Sequence, residues 1–216
     1  FEPSRLERTK FAIDRLTQQL EQDRIGLIVF AGDAYMQLPI TSDYVAARSF
    51  AAQISPTMVS KQGTAIGAAI DLAASSFSSG SEGSRVIVVI SDGENHEDDA
   101  LAAAKAAAEK GIRIYTIGIG TPEGAPISID GEFIKDEQGD MVVSKLDEQM
   151  LEQIALTTGG AYIRATNRSL GLDEIVQKIN EVEKKELTST VFEDFNEQYQ
   201  YLIGLALALL LLEFAM

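Results

Sequence analysis

The sequence predicts an α/β protein whose doubly wound, mostly parallel sheet is flanked by helices. Continuous runs of Val and Ile indicate strands buried on both faces, because a half-exposed strand would alternate apolar with polar residues. Segments with helical spacing separate these runs, and such alternation is typical of a parallel sheet covered on both faces. The strand runs are residues 25–30, 85–90 and 112–119.

Helices are expected between and around these strands. The first spaces its apolar residues by sevens, threes and fours and has Pro3 in its first turn. The run Thr41-Ser42-Asp43 can cap the second helix, Pro56 stops it, and Gly111 ends the fourth. The expected helices are 4–20, 41–54, an Ala-rich helix opening at 63–64, 98–110, 148–157 and 170–186, with a short last strand at 161–164.

One segment departs from this alternation. Residues 127–146 have two strand-like halves on either side of residues 136–140. Because no helical spacing interrupts them, we expect an inserted β-hairpin.

Composition excludes several classes of function. The 216 residues include 18 Lys and Arg against 33 Asp and Glu, giving a net charge of −15. A general affinity for nucleic acid or anionic lipid is therefore not expected, whereas divalent cations or basic partners are compatible. Cysteine is absent and His96 is the single histidine, so disulfides, thiolate zinc sites and multi-histidine metal sites are excluded. His96 lies in a polar stretch and is expected to be solvated.

Both ends of the sequence suggest a piece of a longer membrane protein. The first residue is Phe1, and no basic, apolar signal peptide follows it. Residues 201–212 are uncharged and apolar, so we expect 201–216 to begin a C-terminal membrane span. The alternative is a buried terminal helix or strand. The folded domain is expected at 1–190 and a polar juxtamembrane stalk at 191–200.

Two residues stand where a ligand is expected in an open α/β sheet, which is outside the carboxyl ends of the strands. Asp92 comes after Ser91 at the carboxyl end of the strand at 85–90, and Thr64 lies in the loop that leads into the Ala-rich helix. Simpler interpretations exist for each, because Asp-Gly after a strand is often a turn and a threonine before a helix is often its N-cap. No phosphate-binding G-x-x-x-x-G-K-[ST] and no G-x-S-x-G motif is present.

The pattern around these residues resembles a von Willebrand factor type A domain. The matching strings are IGLIVFAGDAYMQLPITSD, KQGTAIGAAI, RVIVVISDGEN and GIRIYTIGIGTPEGAPI. The hairpin, the string SKLDEQMLEQIALTTGGAYIRA and the apolar tail are more narrowly similar to the membrane-anchored aerotolerance (Bat) family, BatB type. The resemblance covers nearly the whole chain.

The resemblance implies a metal-ion-dependent adhesion site for Mg²⁺, in which the family's threonine matches Thr64 and its third-loop aspartate matches Asp92. The Asp-x-Ser-x-Ser loop of the family is not in this sequence; it would stand shortly before Phe1, together with the first central strand. We therefore expect Mg²⁺ to be weakly bound or not bound by this chain. The missing strand would leave a slot between the strands at 25–30 and 85–90, which residues 205–212 could fill.

The resemblance further implies a non-enzymatic interaction domain involved in oxygen or envelope stress tolerance. The implied partners are related type A domain proteins of the same operon and a MoxR-type AAA+ ATPase, and the implied location is the periplasmic side of the bacterial inner membrane. One alternative is a Mg²⁺-dependent enzyme or phosphoacceptor domain that uses Asp92, with Glu94 or Lys61 as the second catalytic group. Another is a scaffold whose partners dock on the inserted hairpin and ignore the metal.

Overall fold

The structure is a computed structural model that describes residues 4–20, 23–59, 61, 63–78, 83–95, 98–126, 128–129, 132–133, 139–166 and 171–181. The chain divides into two compact units, Phe1–Val176 and Gln177–Met216, and in the second unit the description covers the helical residues 177–181. The predicted stalk at 191–200, the predicted span at 201–216 and the slot-filling segment at 205–212 lie outside the described residues. Among the described helices, none combines the length and the hydropathy that crossing a membrane requires.

Helices and strands alternate along the first unit as predicted. Five predicted helices are confirmed with their ends within a few residues of expectation, and residues 172–181 are also helical. The elements are α1 Arg5–Gln19, β1 Ile25–Phe30, β2 Ala34–Thr41, α2 Tyr44–Gln53, α3 Ile66–Ser76, β3 Arg85–Ser91, α4 Ala100–Glu109, β4 Ile112–Gly118, β5 Ala125–Pro126, β6 Ser128–Ile129, β7 Glu132–Phe133, β8 Val143–Ser144, α5 Glu148–Thr157 and β9 Tyr162–Arg164.

The parallel part of the sheet consists of β3, β4 and β9, in that order. β3 and β4 pair in register along their whole length, from Arg85 opposite Ile112 to Ser91 opposite Gly118. Their carboxyl ends therefore lie at one edge of the sheet, as the predicted α/β class requires. The fold class is confirmed.

A second, antiparallel pair of strands was not predicted. β1 runs antiparallel to β2, in which the exposed Pro39 lies between Leu38 and Ile40. Within the described residues this pair and the β3–β4–β9 sheet are separate sheets, so β1 and β3 do not pair with each other. These are the two strands between which the sequence predicts a missing central strand.

The core lies between the parallel strands and helices α3, α4 and α5. Ile66 and Ile70 of α3, Ile114 of β4 and Ile154 of α5 are completely buried, and small alanines of α4 allow the helices to approach closely. The buried Thr158 hydroxyl accepts a hydrogen bond from the Ile114 amide at 2.8 Å, which satisfies a donor that would otherwise be buried without a partner. This core fixes the edge at which β3 and β4 end.

The inserted segment is more elaborate than a single hairpin around residues 136–140. An outer ladder pairs β5 with β8, placing Ala125 opposite Ser144, and an inner ladder pairs β6 with β7. The first half of the segment therefore folds back on itself. An Asp-Gly pair separates β6 from β7 in the sequence, and such a pair favours a two-residue hairpin connection.

Candidate functional site

The loop that carries Thr64 is attached to the end of β1. The Ala65 amide donates a hydrogen bond to the Ala31 carbonyl at 2.6 Å, and the Gly32 amide donates to the Lys61 carbonyl at 3.0 Å. Thr64 itself is partly buried. Its position is therefore fixed by backbone bonds on both sides of the loop.

The loop that carries Asp92 caps the helix that follows Thr64. The Asn95 side chain accepts a hydrogen bond from the Ile66 amide at 3.2 Å. The Asp98 carboxylate accepts from the next two amides of α3, Gly67 at 2.9 Å and Ala68 at 2.7 Å. Three of the four amides that a helix N-terminus leaves unsatisfied are thus bonded to side chains of this one loop. The loops bearing the two candidate residues are held together at the same edge of the molecule.

Thr64 is not the N-cap of α3. The N-cap is Ala65, which makes no side-chain capping bond, because Asn95 and Asp98 meet that need from the other loop. The simpler interpretation of Thr64 as a helix cap is therefore wrong. A role for its hydroxyl at the site remains a prediction.

Asp92 is held by the segment that returns from the insertion. The Ser144 hydroxyl donates a hydrogen bond to Oδ2 of Asp92 at 2.8 Å, and the Asp147 amide donates to the Asp92 carbonyl at 2.8 Å. Gly93 has a φ of 80°, and a Cβ there would lie 2.5 Å from the Asp147 carbonyl oxygen. Asp92 is therefore more than a turn residue, since its carboxylate and its backbone both bind a distant segment.

Glu94, which the enzymatic alternative needs as a second catalytic group, also binds this segment. Its Oε1 accepts a hydrogen bond from the Lys145 amide at 3.0 Å. Lys61 is exposed, and His96 lies outside the described residues. Glu94 thus has a structural partner that accounts for its position.

A second polar cluster lies where β9 meets α5. The Tyr162 hydroxyl donates to Oε1 of Glu148 at 2.7 Å, and Nε of Arg164 lies 3.7 Å from the same oxygen. Burial, together with the bond to Glu148, raises the pKa of Tyr162 well above its ordinary value of 10.0, because both disfavour the phenolate. The Tyr162 hydroxyl therefore stays protonated throughout the physiological pH range.

The donors at the edge suit Mg²⁺ in type. Mg²⁺ prefers oxygen ligands, and the Thr64 hydroxyl and the Asp92 carboxylate are both oxygen donors. No group of three or more histidine, aspartate or glutamate side chains among the described residues could hold a metal ion. The two residues fit the ion chemically, and the remainder of its shell would have to come from water or from further oxygen donors.

Sequence reasoning missed the residues that organise this edge. Asn95, Asp98 and Ser144 were not proposed, although Asp98 stands at the start of a predicted helix and could have been tested as a cap. The sequence has no signal for the bond from Ser144 to Asp92, because the two residues are 52 positions apart.

Comparison with known families decides the identity of the domain. The family model for the von Willebrand factor type A domain matches residues 1–181. The chain belongs to this family. The predicted resemblance to a type A domain is thereby confirmed.

Two solved structures are similar to this type A domain over most of its length. An aerotolerance-related membrane protein from Bacteroides fragilis, carrying multiple mutations to serines, is 50% identical with a TM-score of 0.79, covering 84% of this chain and 90% of that one. BatB from Bacteroides thetaiotaomicron, described as a conserved hypothetical protein, is 48% identical with a TM-score of 0.77, covering 83% and 90%. The resemblance to the BatB type is confirmed by these matches.

Two more distant relatives are longer than this chain, and a distant solved structure shares its fold. A protein from Borreliella burgdorferi, described as uncharacterized, is 29% identical over 98% of this chain, and a UPF0353 protein from Mycolicibacterium paratuberculosis is 30% identical over 76% of it. The chain spans 62% and 50% of the lengths of these two relatives. The mussel byssus protein PTMP1, whose structure has a zinc-occupied MIDAS motif, is 16% identical with a TM-score of 0.56, which is a likeness of fold alone.

Proposed function

We propose that this type A domain is a non-enzymatic module that recognises partner proteins through a divalent cation held at the Thr64–Asp92 edge. The observation that carries the proposal is the capping of α3 by Asn95 and Asp98. This capping holds the two loops together and leaves Thr64 outside the helix cap. A hydroxyl and a carboxylate on adjoining loops can contribute two oxygen ligands to one ion.

Mg²⁺ is the proposed cation, and its chemistry accounts for recognition without catalysis. One carboxylate neutralises only part of the ion's charge, and Mg²⁺ retains several waters in its octahedral shell. An aspartate or glutamate of a partner can replace one of these waters and complete the shell. The mussel protein, which has a similar fold, holds zinc in its MIDAS motif. In this chain, with two donors, we propose weak binding.

The proposed setting is the bacterial inner membrane, with the domain on the periplasmic side. The Bacteroides fragilis relative is described as an aerotolerance-related membrane protein, which supports a membrane-associated role in stress tolerance. The proposed partners are related type A domain proteins of the same operon and a MoxR-type AAA+ ATPase. A cytoplasmic ATPase could reach a periplasmic domain only through other parts of the assembly, so the type A proteins are the more direct candidates.

Capture of partner proteins tests the proposal. Full-length protein should retain a related type A domain protein in the presence of Mg²⁺ and lose it in EDTA. Thr64→Ala should abolish this retention while shifting the free energy of unfolding by less than about 0.5 kcal/mol, as expected for a partly exposed side chain outside the cap. Ser75→Ala, which alters an exposed hydroxyl of α3, is the matched control.

The enzymatic alternative predicts a different result. A phosphatase or ATPase activity that disappears with Asp92→Ala would favour it, and Mg²⁺-dependent capture with no turnover would exclude it. The bond from Lys145 to Glu94 weighs against it, because that contact already occupies the proposed second carboxylate.

A further inference from the structure

We propose that Ser144 is a positioning residue for Asp92, so that the inserted segment sets the affinity of the site for its cation. This inference rests on the proposed function, since it concerns the same carboxylate. Nothing in the sequence connects the insertion with the candidate site. The contacts between them are found only in the folded chain.

The bond itself has the features of a positioning contact. Ser144 is 2% exposed, and its hydroxyl lies 2.8 Å from Oδ2 of Asp92. A hydroxyl that donates to a carboxylate forms a charge-assisted bond, which is roughly twice as strong as a bond between neutral groups. Because the serine lies in β8, opposite Ala125 of β5, its position is fixed by the outer ladder of the insertion.

Neighbouring residues of the return segment reinforce this contact. Besides Ser144, the amides of Lys145 and Asp147 bond to Glu94 at 3.0 Å and to the Asp92 carbonyl at 2.8 Å. Three bonds within four residues therefore attach segment 144–147 to segment 92–94. Gly93 allows the two backbones to come this close.

The same segment is tied to the loop that follows β4. The Leu146 amide donates to the Thr121 carbonyl at 3.1 Å, and the Gly124 amide donates to the same carbonyl at 3.0 Å. Both ends of the insertion are thus anchored at a single carbonyl next to the sheet edge. A displacement of the insertion that moves Ser144 would consequently change the support of the Asp92 carboxylate.

The expected size of the effect follows from metal sites in general. Loss of an outer-shell partner that orients a ligand typically weakens metal affinity by 10- to 100-fold. Because the site has few protein ligands and one oriented carboxylate, we expect Ser144→Ala to weaken Mg²⁺ binding by about tenfold. The variant removes one hydroxyl and leaves the Asp147 bond to the Asp92 backbone in place.

Titration of the 216-residue chain with Mg²⁺ alone tests this inference. The dissociation constant is read from the NMR shift of the Gly93 amide, which remains measurable for millimolar binding, and the melting temperature is recorded in EDTA. Val143→Ala is the matched control, since Val143 lies in the same short strand and is 46% exposed. It weakens the same ladder without touching the hydroxyl.

Weaker Mg²⁺ binding by Ser144→Ala, with unchanged binding by Val143→Ala, would support the positioning role. Equal affinities of the wild type and Ser144→Ala would overturn it and leave the proposed function standing. Equal weakening by both variants would also overturn it, because the ladder and not the hydroxyl would then be responsible. Absence of any Mg²⁺-dependent shift in the wild type would overturn both this inference and the proposed metal site.

Discussion

Because Asp98 caps α3, the effect of Gly67→Ala on the free energy of unfolding should change sign when Asp98 is removed. An alanine in a helix is about 1 kcal/mol more favourable than a glycine, so Gly67→Ala at an ordinary helical position would stabilise the domain. Here a Cβ would lie 2.9 Å from both Cγ and Oδ1 of Asp98. The carboxylate would have to move away from the two amides that it accepts at 2.9 and 2.7 Å.

The magnitudes favour destabilisation. Removing a side-chain cap from a helix N-terminus costs about 2 kcal/mol at the upper end of measured values, which is appropriate where one carboxylate accepts two amides. Set against the gain of about 1 kcal/mol from helix propensity, Gly67→Ala should lower the free energy of unfolding by about 1 kcal/mol. In an Asp98→Ala background the cap is already lost, so the same substitution should instead raise it by up to about 1 kcal/mol.

A double-mutant cycle measured by urea unfolding checks this reversal. The wild type, both single variants and the double variant should give a coupling energy of about 2 kcal/mol, well above the range in which distant sites add. Asp98→Asn is a useful control because it keeps the shape of the side chain and removes its charge. Stabilisation by Gly67→Ala in both backgrounds would refute the assignment of Asp98 as the cap of α3.

Two further predictions concern other contacts of the same fold. Because the pKa of Tyr162 is raised in the folded state, the unfolded chain loses this proton first, and the free energy of unfolding should fall as pH rises above about 10. Urea unfolding between about pH 9 and 11 should show a shallower decline for Tyr162→Phe than for the wild type. Equal slopes would contradict the burial of the phenol. Gly93→Ala should lower the free energy of unfolding by more than about 2 kcal/mol. The left-handed φ of 80° costs an alanine about 1–2 kcal/mol, and its Cβ would lie 2.5 Å from the Asp147 carbonyl oxygen. Urea unfolding at neutral pH measures the change, and a loss below about 1 kcal/mol would show that this turn can relax.

Local sequence patterns predicted the parallel strands and most helix ends, because those depend on nearby residues. Asp43, one of the three residues from which a cap was expected, caps α2, and Gly111 follows α4 with a φ of 68°, as expected. β2 was missed although its apolar residues alternate; its Pro39 is a local signal against a strand unless the strand is an edge. The pairing of β1 with β2 is a tertiary arrangement that overrides this local signal.

The candidate site was predictable only in part. The rule that ligands lie at the carboxyl ends of parallel strands selected Asp92 and Thr64 as candidates. In the structure the bond from the Ile66 amide to Asn95 joins the loops that bear them, while their role in binding a ligand stays a prediction. Which side chain caps α3 could not be read from the sequence, since Asp98 was equally suited to cap α4, the helix that follows it. In the structure that second role belongs to Asp99, which accepts from the Ala102 amide at 2.9 Å.

The division of roles at this edge has a thermodynamic consequence for the proposed function. Asp98 and Asn95 connect the Asp92 loop to α3, and Ser144 connects it to the insertion, so one short loop bears on both elements. If a partner that binds the insertion alters cation affinity by moving Ser144, linkage requires that the cation alter the affinity of that partner by the same factor. The scaffold and metal-bridge alternatives are then not exclusive. A partner docked on the insertion and a carboxylate docked on the cation would each report on the same Asp92 side chain.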